Sequence, residues 1–347
     1  MKTPNIWEYT ENIVAGELAY LSIACTTRCN FKCTFCSKKD QPINDLDFQL
    51  LKNALAEALE AGLRKVELTG GEALLYPFFF EILEYLTENN VQILMVTNGS
   101  LITAELAERL FEARVNTAIS LSTLKPLRYD QMTGTKNQLD KVINALHLLK
   151  KAGYSEEQEP LLAIHALGTK ENYEELDSLR KFTGEIGCGF VLNRAIPVGG
   201  LDASNTPTHQ ELKKLLDDEC ASHGEATIPF SGDYPCNRLL AGCYIGADAN
   251  VRPCPSIDLV AGSLKEKSLS LIWHNSKVLK ESRNINHLLE GSCGKCPERK
   301  RCYGCRAVAY AVWGELTGPD PDCFRFSPDE KWNQNSIKNN QDISKGQ

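Results

Sequence analysis

Short apolar runs alternate with amphipathic stretches along residues 21–197 of the chain. The apolar runs predict strands, and the stretches with apolar positions three and four residues apart predict helices. One example is Asp47–Ala61, where Leu51, Leu55 and Ala58 share a face and Gly62 ends the helix. The other predicted elements are strands at Leu21–Cys25, Val66–Thr69, Val91–Thr97, Thr117–Leu121, Pro160–Leu167 and Gly189–Asn193, and helices at Phe78–Leu86, Ala104–Glu112, Glu171–Thr183 and from Leu139 to near Gly153.

This alternation predicts an α/β fold in which a parallel sheet, closed or partly closed as a TIM-like barrel, has its helices outside. The pattern gives about six strand–helix units, a partial (β/α)6 barrel, within residues 1–200. Residues 201–235 are predicted to be a linker with one helix over Thr208–Asp217. Residues 236–326 are rich in Gly, Pro and Cys, which indicates a small domain that needs metal to fold. The polar residues 327–347 are predicted to be disordered.

Composition narrows the function classes. The chain has 347 residues, 42% of them hydrophobic, and a net charge of −7, which argues against wholesale binding to nucleic acid or an anionic membrane. The amino terminus lacks the basic and apolar segments of a signal peptide, and no apolar run approaches ~18 residues. We therefore expect a cytoplasmic protein, where disulfides rarely persist. Its 14 cysteines then indicate metal binding or catalysis.

The first cysteine group is Cys29, Cys33 and Cys36, directly after the first predicted strand. Three thiolates on a four-iron cubane leave one iron open to a substrate or cofactor. Structural zinc is the alternative, but zinc usually takes four protein ligands and no histidine lies nearby. The spacing therefore favours an iron–sulfur cluster.

Three further motifs follow predicted strands: Thr69-Gly70-Gly71-Glu72, Thr97-Asn98-Gly99 and Ser120-Leu121-Ser122. In this order, and with the cysteine motif, they make the chain resemble the radical S-adenosylmethionine (SAM) superfamily. The resemblance implies an oxidoreductase or maturase that reductively cleaves SAM to a 5′-deoxyadenosyl radical and abstracts hydrogen from a substrate. The motifs lie at the carboxyl ends of strands, where barrel enzymes build their sites.

The resemblance also implies SAM contacts. Gly70 and Gly71 would permit close backbone approach, and Glu72 would accept from the SAM ammonium. The hydroxyls of Ser120 and Ser122 would donate to ribose or carboxylate oxygens, although many relatives have Asp where Ser122 stands. The full set of implied contacts is Phe35 near adenine, Gly70, Gly71, Glu72, Thr97, Asn98, Ser120, Ser122 and, at the carboxylate, Arg194.

Eight further cysteines lie between residues 236 and 323, enough for two fully ligated cubanes, with two zinc knots as the alternative. Their spacing resembles the SPASM domain of radical SAM enzymes that modify peptides and proteins, although Ala249-Asn250 stands where Asp-Gly is usual. The resemblance implies a nearer auxiliary [4Fe–4S] cluster on Cys236, Cys243, Cys254 and Cys305, and a distal one on Cys293, Cys296, Cys302 and Cys323. Of the three spare cysteines, Cys25 and Cys188 are predicted to be buried as small hydrophobes, and Cys220 has no assignment.

Two fully ligated auxiliary clusters favour electron transfer from the substrate, so the expected reaction is a net oxidation or a cross-link. The expected substrate is a peptide or protein side chain, and the alternatives are a haem-type tetrapyrrole and a small sugar or aminocyclitol. A non-enzymatic iron–sulfur electron carrier or zinc scaffold is the alternative from another class. A flavodoxin or ferredoxin is implied as a low-potential donor, and a precursor peptide would need a separate recognition protein. His165 is expected to be a packed histidine.

Overall fold

A computed structural model describes residues 16–38, 41–201, 205–207, 211, 238–300 and 302–323. Nine strands form one sheet in the order β6-β5-β4-β3-β2-β1-β7-β8-β9. The strands are β1 Tyr20–Thr26, β2 Lys65–Gly70, β3 Gln92–Thr97, β4 Val115–Ser120, β5 Leu162–Gly168, β6 Gly189–Arg194, β7 Gly242–Ile245, β8 Asn250–Arg252 and β9 Gly262–Ser263. Neighbours from β6 to β7 are parallel, and β8 and β9 are antiparallel additions.

The helices follow the strands as the sequence predicts for a partial barrel, which confirms the fold class. Six belong to the strand–helix repeat: α1 Phe48–Glu60, α2 Phe79–Glu88, α3 Ala104–Glu112, α4 Pro126–Thr133, α5 Leu139–Ala152 and α6 Leu176–Ile186. The C-terminal region holds α7 Arg238–Ala241, α8 Leu269–Asn275, α9 Lys277–Arg283, α10 Ile285–Leu288, α11 Gly291–Lys295 and α12 Arg306–Trp313. Short 3-10 helices occupy Ala73–Leu75, Tyr173–Glu175 and Pro297–Lys300. None of the described helices is long and apolar enough to cross a membrane.

Helix α4 was not predicted from the sequence. Its apolar pattern is short, because Tyr129 and Met132 are its main buried apolar side chains. Its ends carry the available signal: Pro126 opens the helix, and Gly134 follows it with φ of +62°. This helix borders the first cysteine group, so the site predicted from the sequence lacked one of its walls.

The two faces of the sheet differ in character. The outer face packs against α1 to α6 in a large core that includes Leu21, Leu68 and Ile119. The inner face carries a small apolar layer around Leu94 and Ala118. Polar side chains share that inner face with the apolar layer, and they are described with the site below.

The cysteine-rich region continues the sheet of the barrel. Strand β7 pairs in parallel with β1, placing Leu21 opposite Cys243 and Ser22 opposite Tyr244. A second core contains Ile257, Tyr303 and Val308. The predicted boundaries at residues 200 and 236 stay predictions. The predicted helix over Thr208–Asp217 and the tail 327–347 lie outside the described residues, apart from residue 211.

Candidate functional site

The first three cysteines lie on the loop between β1 and α1, residues 27–45, called the cysteine loop below. The GGE motif packs directly on its start. Gly71 N–H donates to Thr26 O and Glu72 N–H donates to Arg28 O, each at 2.7 Å. A Cβ on Gly71 would lie 2.2 Å from Arg28 O, and one on Gly70 would lie 2.4 Å from Thr26 O. Gly70 and Gly71 therefore permit a close approach to the chain's own cysteine loop, and their contact with SAM stays a prediction.

Two other segments hold the cysteine loop. The end of α4 accepts from it at two places, since Lys32 N–H donates to Thr133 O at 3.0 Å and Thr34 N–H donates to Met132 O at 2.8 Å. On another side, Gly200 N–H donates to Cys36 O at 3.1 Å. The loop is therefore fixed by the segments that follow β2, β4 and β6.

The thiols of this loop have the chemistry of a metal site. Burial, with smaller contributions from negative charge on Cys36 and Cys29, raises the pKa of Cys33 to about 12. Burial also raises the pKa of Cys29, with smaller contributions from Glu72 and Cys36. A cationic metal centre would reverse this mutual repulsion and bind the thiolates. Within the described part of the chain, no three Cys, His or acidic side chains are already drawn together at metal-binding geometry. The donor set nonetheless fits an iron–sulfur cluster, because it is three soft ligands on one fixed loop.

Glu72 is committed to internal hydrogen bonds. It is 1% exposed, and it accepts from Thr97 Oγ1 at 2.7 Å, from Asn98 N at 2.8 Å and from Leu74 N at 3.2 Å. The Asn98 amide in turn donates to Asn30 of the cysteine loop at 2.9 Å. Thr97 and Asn98 thus tie the turn after β3 to Glu72 and to the loop. The described contacts use three of the roughly four acceptor positions of this carboxylate.

The serines after β4 sit beside β5. Ser120 is opposite His165 in the sheet register. Ser122 Oγ accepts from Leu167 N at 3.0 Å. The buried Asn172 amide donates to the carbonyl oxygens of Ser122 at 2.7 Å and Leu167 at 2.8 Å, and so joins the ends of β4 and β5. The side chain of the last predicted contact, Arg194 at the end of β6, lies outside the described residues.

Phe35 lines a pocket of about 440 Å³ on the α4 side of the cysteine loop. The pocket combines apolar walls with polar groups, including Arg128, which lies 2.7 Å from the buried Glu175 carboxylate. Lys125 also reaches Glu175 at 3.0 Å. The remaining lining residues are Thr34, Gln131, Met132, Thr169, Glu171, Gly200, Leu201 and Asn205. A flat aromatic or polar ligand could occupy this space next to Phe35.

A polar cluster on the inner face of the barrel was missed by the sequence analysis. Burial opposes ionisation of Glu67, but Arg238 at 3.5 Å and the Tyr20 hydroxyl hold its pKa below the usual range. His165 contacts Asn193 on the neighbouring strand. Burial lowers the pKa of His165 to about 4, opposed by Glu67 and assisted by Arg238. The imidazole is therefore neutral near pH 7. The available signal was a glutamate at an inner position of β2.

The second cysteine group is spread over two cores. Cys243 lies on the outer face of β7 in the barrel core, whereas Cys254, Cys293 and Cys305 contribute to the second core. In the predicted distal set, burial is the main cause of the raised pKa of Cys293. Negative charge on Asp320 and Cys302 adds to this effect. The remaining predicted ligands Cys296, Cys302 and Cys323 are part-buried, and Cys236 lies outside the described residues. The spare Cys25 and Cys188 are buried, as predicted.

Asp320 connects three segments of the second cysteine group. Its backbone N–H lies 3.3 Å from Cys293 Sγ, and its carboxylate accepts from Cys305 N at 2.7 Å. Cys323 N–H donates to Asp320 O at 3.2 Å. The segment that carries Cys323 is thereby held near both Cys293 and Cys305, and the division of these cysteines into two sets stays a prediction.

Comparison with known proteins agrees with this geometry. The family model of the radical SAM superfamily matches residues 23–183, and that of the SPASM iron–sulfur cluster-binding domain matches residues 236–297. The AdoMet-dependent heme synthase of Methanosarcina barkeri is 26% identical over 342 residues, covering 88% of this chain and 96% of that protein. Mycofactocin maturase MftC of Mycobacterium tuberculosis is 28% identical over 327 residues, covering 86% and 81%.

Among solved structures, Streptococcus suis SuiB bound to S-adenosylmethionine superposes with a TM-score of 0.70. The match covers 91% of this chain and 78% of that chain at 20% identity, which establishes the shared fold. The cysteine loop and the motifs at the ends of β2, β3 and β4 fall within the first family match, and Cys243, Cys254, Cys293 and Cys296 fall within the second. The chain therefore belongs to the radical SAM superfamily of enzymes and carries a SPASM iron–sulfur domain after its barrel.

Proposed function

We propose that the protein reductively cleaves SAM and removes a hydrogen atom from a substrate that then undergoes net oxidation or cross-linking. The main support for this proposal is the position of Cys29, Cys33 and Cys36 on one loop. Gly71 and α4 fix that loop at the carboxyl ends of the strands. When bound, a reduced [4Fe–4S] cluster and SAM supply the electron and the 5′-deoxyadenosyl group that removes the hydrogen atom.

The chain's own residues would bind and orient SAM. Phe35 and its pocket offer space for the adenine, next to the cysteine loop. The Ser120 and Ser122 hydroxyls lie at the end of β4 and can reach ribose or carboxylate oxygens. Arg194 stays a proposed partner of the carboxylate. Glu72 would act mainly by holding Thr97 and Asn98 in place, because its described hydrogen bonds are internal.

The eight C-terminal cysteines would bind two auxiliary [4Fe–4S] clusters, in the sets given by the SPASM resemblance. Complete ligation by protein suits electron acceptance rather than substrate binding, which is the reason for proposing net oxidation. A flavodoxin or ferredoxin would supply the first electron, and the reaction would take place in the cytoplasm.

Iron content and SAM cleavage test the core of this proposal. The anaerobically loaded protein should hold about twelve irons and, when reduced, should form 5′-deoxyadenosine from SAM. The triple variant C29A/C33A/C36A should hold about eight irons and form none. Cys188→Ala, at a buried cysteine outside the proposed ligands, is the matched control and should keep both properties. Failure of the loaded wild type to form 5′-deoxyadenosine would contradict the proposal.

A peptide or protein side chain is the leading substrate class. Its support is that SuiB has also been solved bound to the precursor peptide SuiA, with a TM-score of 0.69 to this chain. A haem-type tetrapyrrole is the second candidate, because the heme synthase is matched over 96% of its length. Mass spectrometry of each candidate after reaction distinguishes them, since the true substrate should lose hydrogen and consume SAM in proportion. A precursor peptide would bring a separate recognition protein as a further partner.

A further inference from the structure

Lys38 and Tyr244 form a polar site between the two cysteine groups. Lys38 belongs to the cysteine loop, and its backbone N–H lies 3.3 Å from Cys36 Sγ. Tyr244 follows Cys243 on β7 and faces the inner side of the sheet, opposite Ser22. The Lys38 ammonium lies 4.8 Å from the centre of the Tyr244 ring. The site therefore spans the junction between the cysteine loop and the SPASM domain.

Among the described residues, neither polar group has an oxygen partner of the kind that its chemistry requires. Tyr244 is 1% exposed, and its hydroxyl has no hydrogen-bond partner in the described part of the chain. A buried hydroxyl without a hydrogen-bond partner is unfavourable, so a ligand that accepts from it would be stabilised. Lys38 is half-buried, and among the described residues no carboxylate lies within ion-pair distance of its ammonium. Both groups would gain from one anionic oxygen ligand.

The neighbouring charges do not supply that ligand. Asp248 is held by Arg252 at 2.9 and 3.2 Å, and Asp258 is held by the same guanidinium at 3.0 Å. Arg252 holds both carboxylates, and neither of them lies within ion-pair distance of the Lys38 ammonium. The Lys38 side chain is flexible and can rotate off the tyrosine ring to admit a ligand between the two groups.

We propose that Lys38 and Tyr244 bind a carboxylate of the substrate, which makes them specificity-determining residues. This rests on the proposed function, because a substrate must lie between the SAM-binding cluster and an auxiliary cluster to react at one and lose an electron to the other. The Phe35 pocket faces α4, whereas Lys38 faces β7, so the two sites lie on different sides of the cysteine loop. A propionate of a tetrapyrrole and an acidic group of a peptide are both carboxylates that this site would accept.

Binding to the iron-loaded holoenzyme, without reduction, tests the site apart from SAM cleavage. One arm compares a porphyrin bearing four propionates with its tetramethyl ester. The other compares a capped hexapeptide containing glutamate with its glutamine counterpart. We expect the carboxylate form of at least one pair to bind about tenfold more tightly. That preference should fall to within about twofold of unity in Lys38→Met and Tyr244→Phe.

Lys52→Met is the matched control, because Lys52 also lies over a tyrosine ring, at 5.6 Å from the centre of Tyr85, on helix α1. It should keep the full preference. The proposal is overturned if the wild type prefers neither carboxylate, or if Lys38→Met keeps the preference. It is also overturned if Lys38→Met instead weakens SAM binding, or if Tyr244→Phe changes only the electron paramagnetic resonance spectrum of an auxiliary cluster. If the wild type shows this preference but forms no 5′-deoxyadenosine from SAM, the proposed function is refuted and the carboxylate site is not.

Discussion

Arg306 offers the sharpest test of how the SPASM domain holds its distal cysteines. It is 1% exposed, although arginine keeps its charge in proteins. Its guanidinium donates to Leu316 O at 2.8 Å and to Gly318 O, and it lies 4.0 Å from Cys293 Sγ. The arginine therefore fastens the segment that leads to Cys323 onto the part of the domain that carries Cys293.

Arg306→Met keeps much of the side-chain volume but removes both hydrogen bonds. Each bond from a charged donor contributes about 1.5–3 kcal/mol, so the pair is worth about 3–6 kcal/mol to the attachment of this segment. We expect the segment to detach and the distal cluster to be lost, which would lower the iron content from about twelve to about eight per chain.

Iron analysis and thermal unfolding of the anaerobically loaded protein would measure this effect. Arg299→Met is the matched control, because Arg299 is exposed and makes one hydrogen bond, at 3.0 Å, to Gly294 O in the same region. The control should keep about twelve irons. If Arg306→Met also kept its full iron content and the same unfolding temperature, the fastening role of the guanidinium would be refuted.

Three further outcomes follow from the packing of the barrel. Gly71→Ala should slow 5′-deoxyadenosine formation about tenfold or more, because its Cβ would lie 2.2 Å from a backbone oxygen of the cysteine loop. Such overpacking costs about 1–3 kcal/mol. Gly184→Ala is the control and should leave the rate unchanged, because its Cβ would meet nothing within 4 Å. Because the pKa of His165 is lowered to about 4 in the folded protein, the unfolded chain binds more protons than the folded protein below pH ~6.5. The folded protein therefore loses stability as the pH falls. Between about pH 7.5 and 5.5 this loss is about 1 kcal/mol. The unfolding temperature of His165→Gln should therefore depend less on pH than that of the wild type. Parallel curves for the two proteins would contradict the lowered pKa of His165. Asn172→Ala should destabilise the loaded protein by about 2–4 kcal/mol in denaturant titrations, because a fully buried amide that joins β4 to β5 is removed, and a loss below about 0.5 kcal/mol would contradict this.

The sequence was sufficient for features that depend on local patterns. Strand β3 was predicted over Val91–Thr97 and observed over Gln92–Thr97, because a continuous apolar run in a parallel sheet is a strong signal. The cysteine loop was likewise predictable, since its three cysteines lie within eight residues. Helix α4 was not found, because its apolar pattern is short and several of its contacts with the cysteine loop are made by backbone atoms.

Contacts between distant segments explain what the sequence could not give. Glu72 stays a predicted acceptor for the SAM ammonium, but its hydrogen bonds with Thr97 and Asn98 on the next turn could not be predicted from its motif. The inner cluster joins Glu67 on β2 to Arg238 before β7, and neither residue type predicts the other at such separation. Burial also determines which hydrogen bonds a residue makes, because a buried carboxylate must accept from donors within the protein. The sequence does not show which carboxylates are buried.

The direction of β7 places the segment that leads to Cys254 at the same edge of the sheet as the cysteine loop. β1 leads into the cysteine loop at its carboxyl end, and β7 runs parallel to it, so the hairpin after β7 emerges at that edge too. The Asn44 amide of the cysteine loop donates to Ala247 O in this hairpin, and the three-residue β8 returns only a short way before Cys254. Had β7 been antiparallel, the hairpin would emerge at the opposite edge, about 20 Å away along the seven residues of β1. The parallel pairing therefore brings the cysteine loop and the segment that leads to Cys254 to one edge of the sheet, as the proposed reaction between two clusters would require.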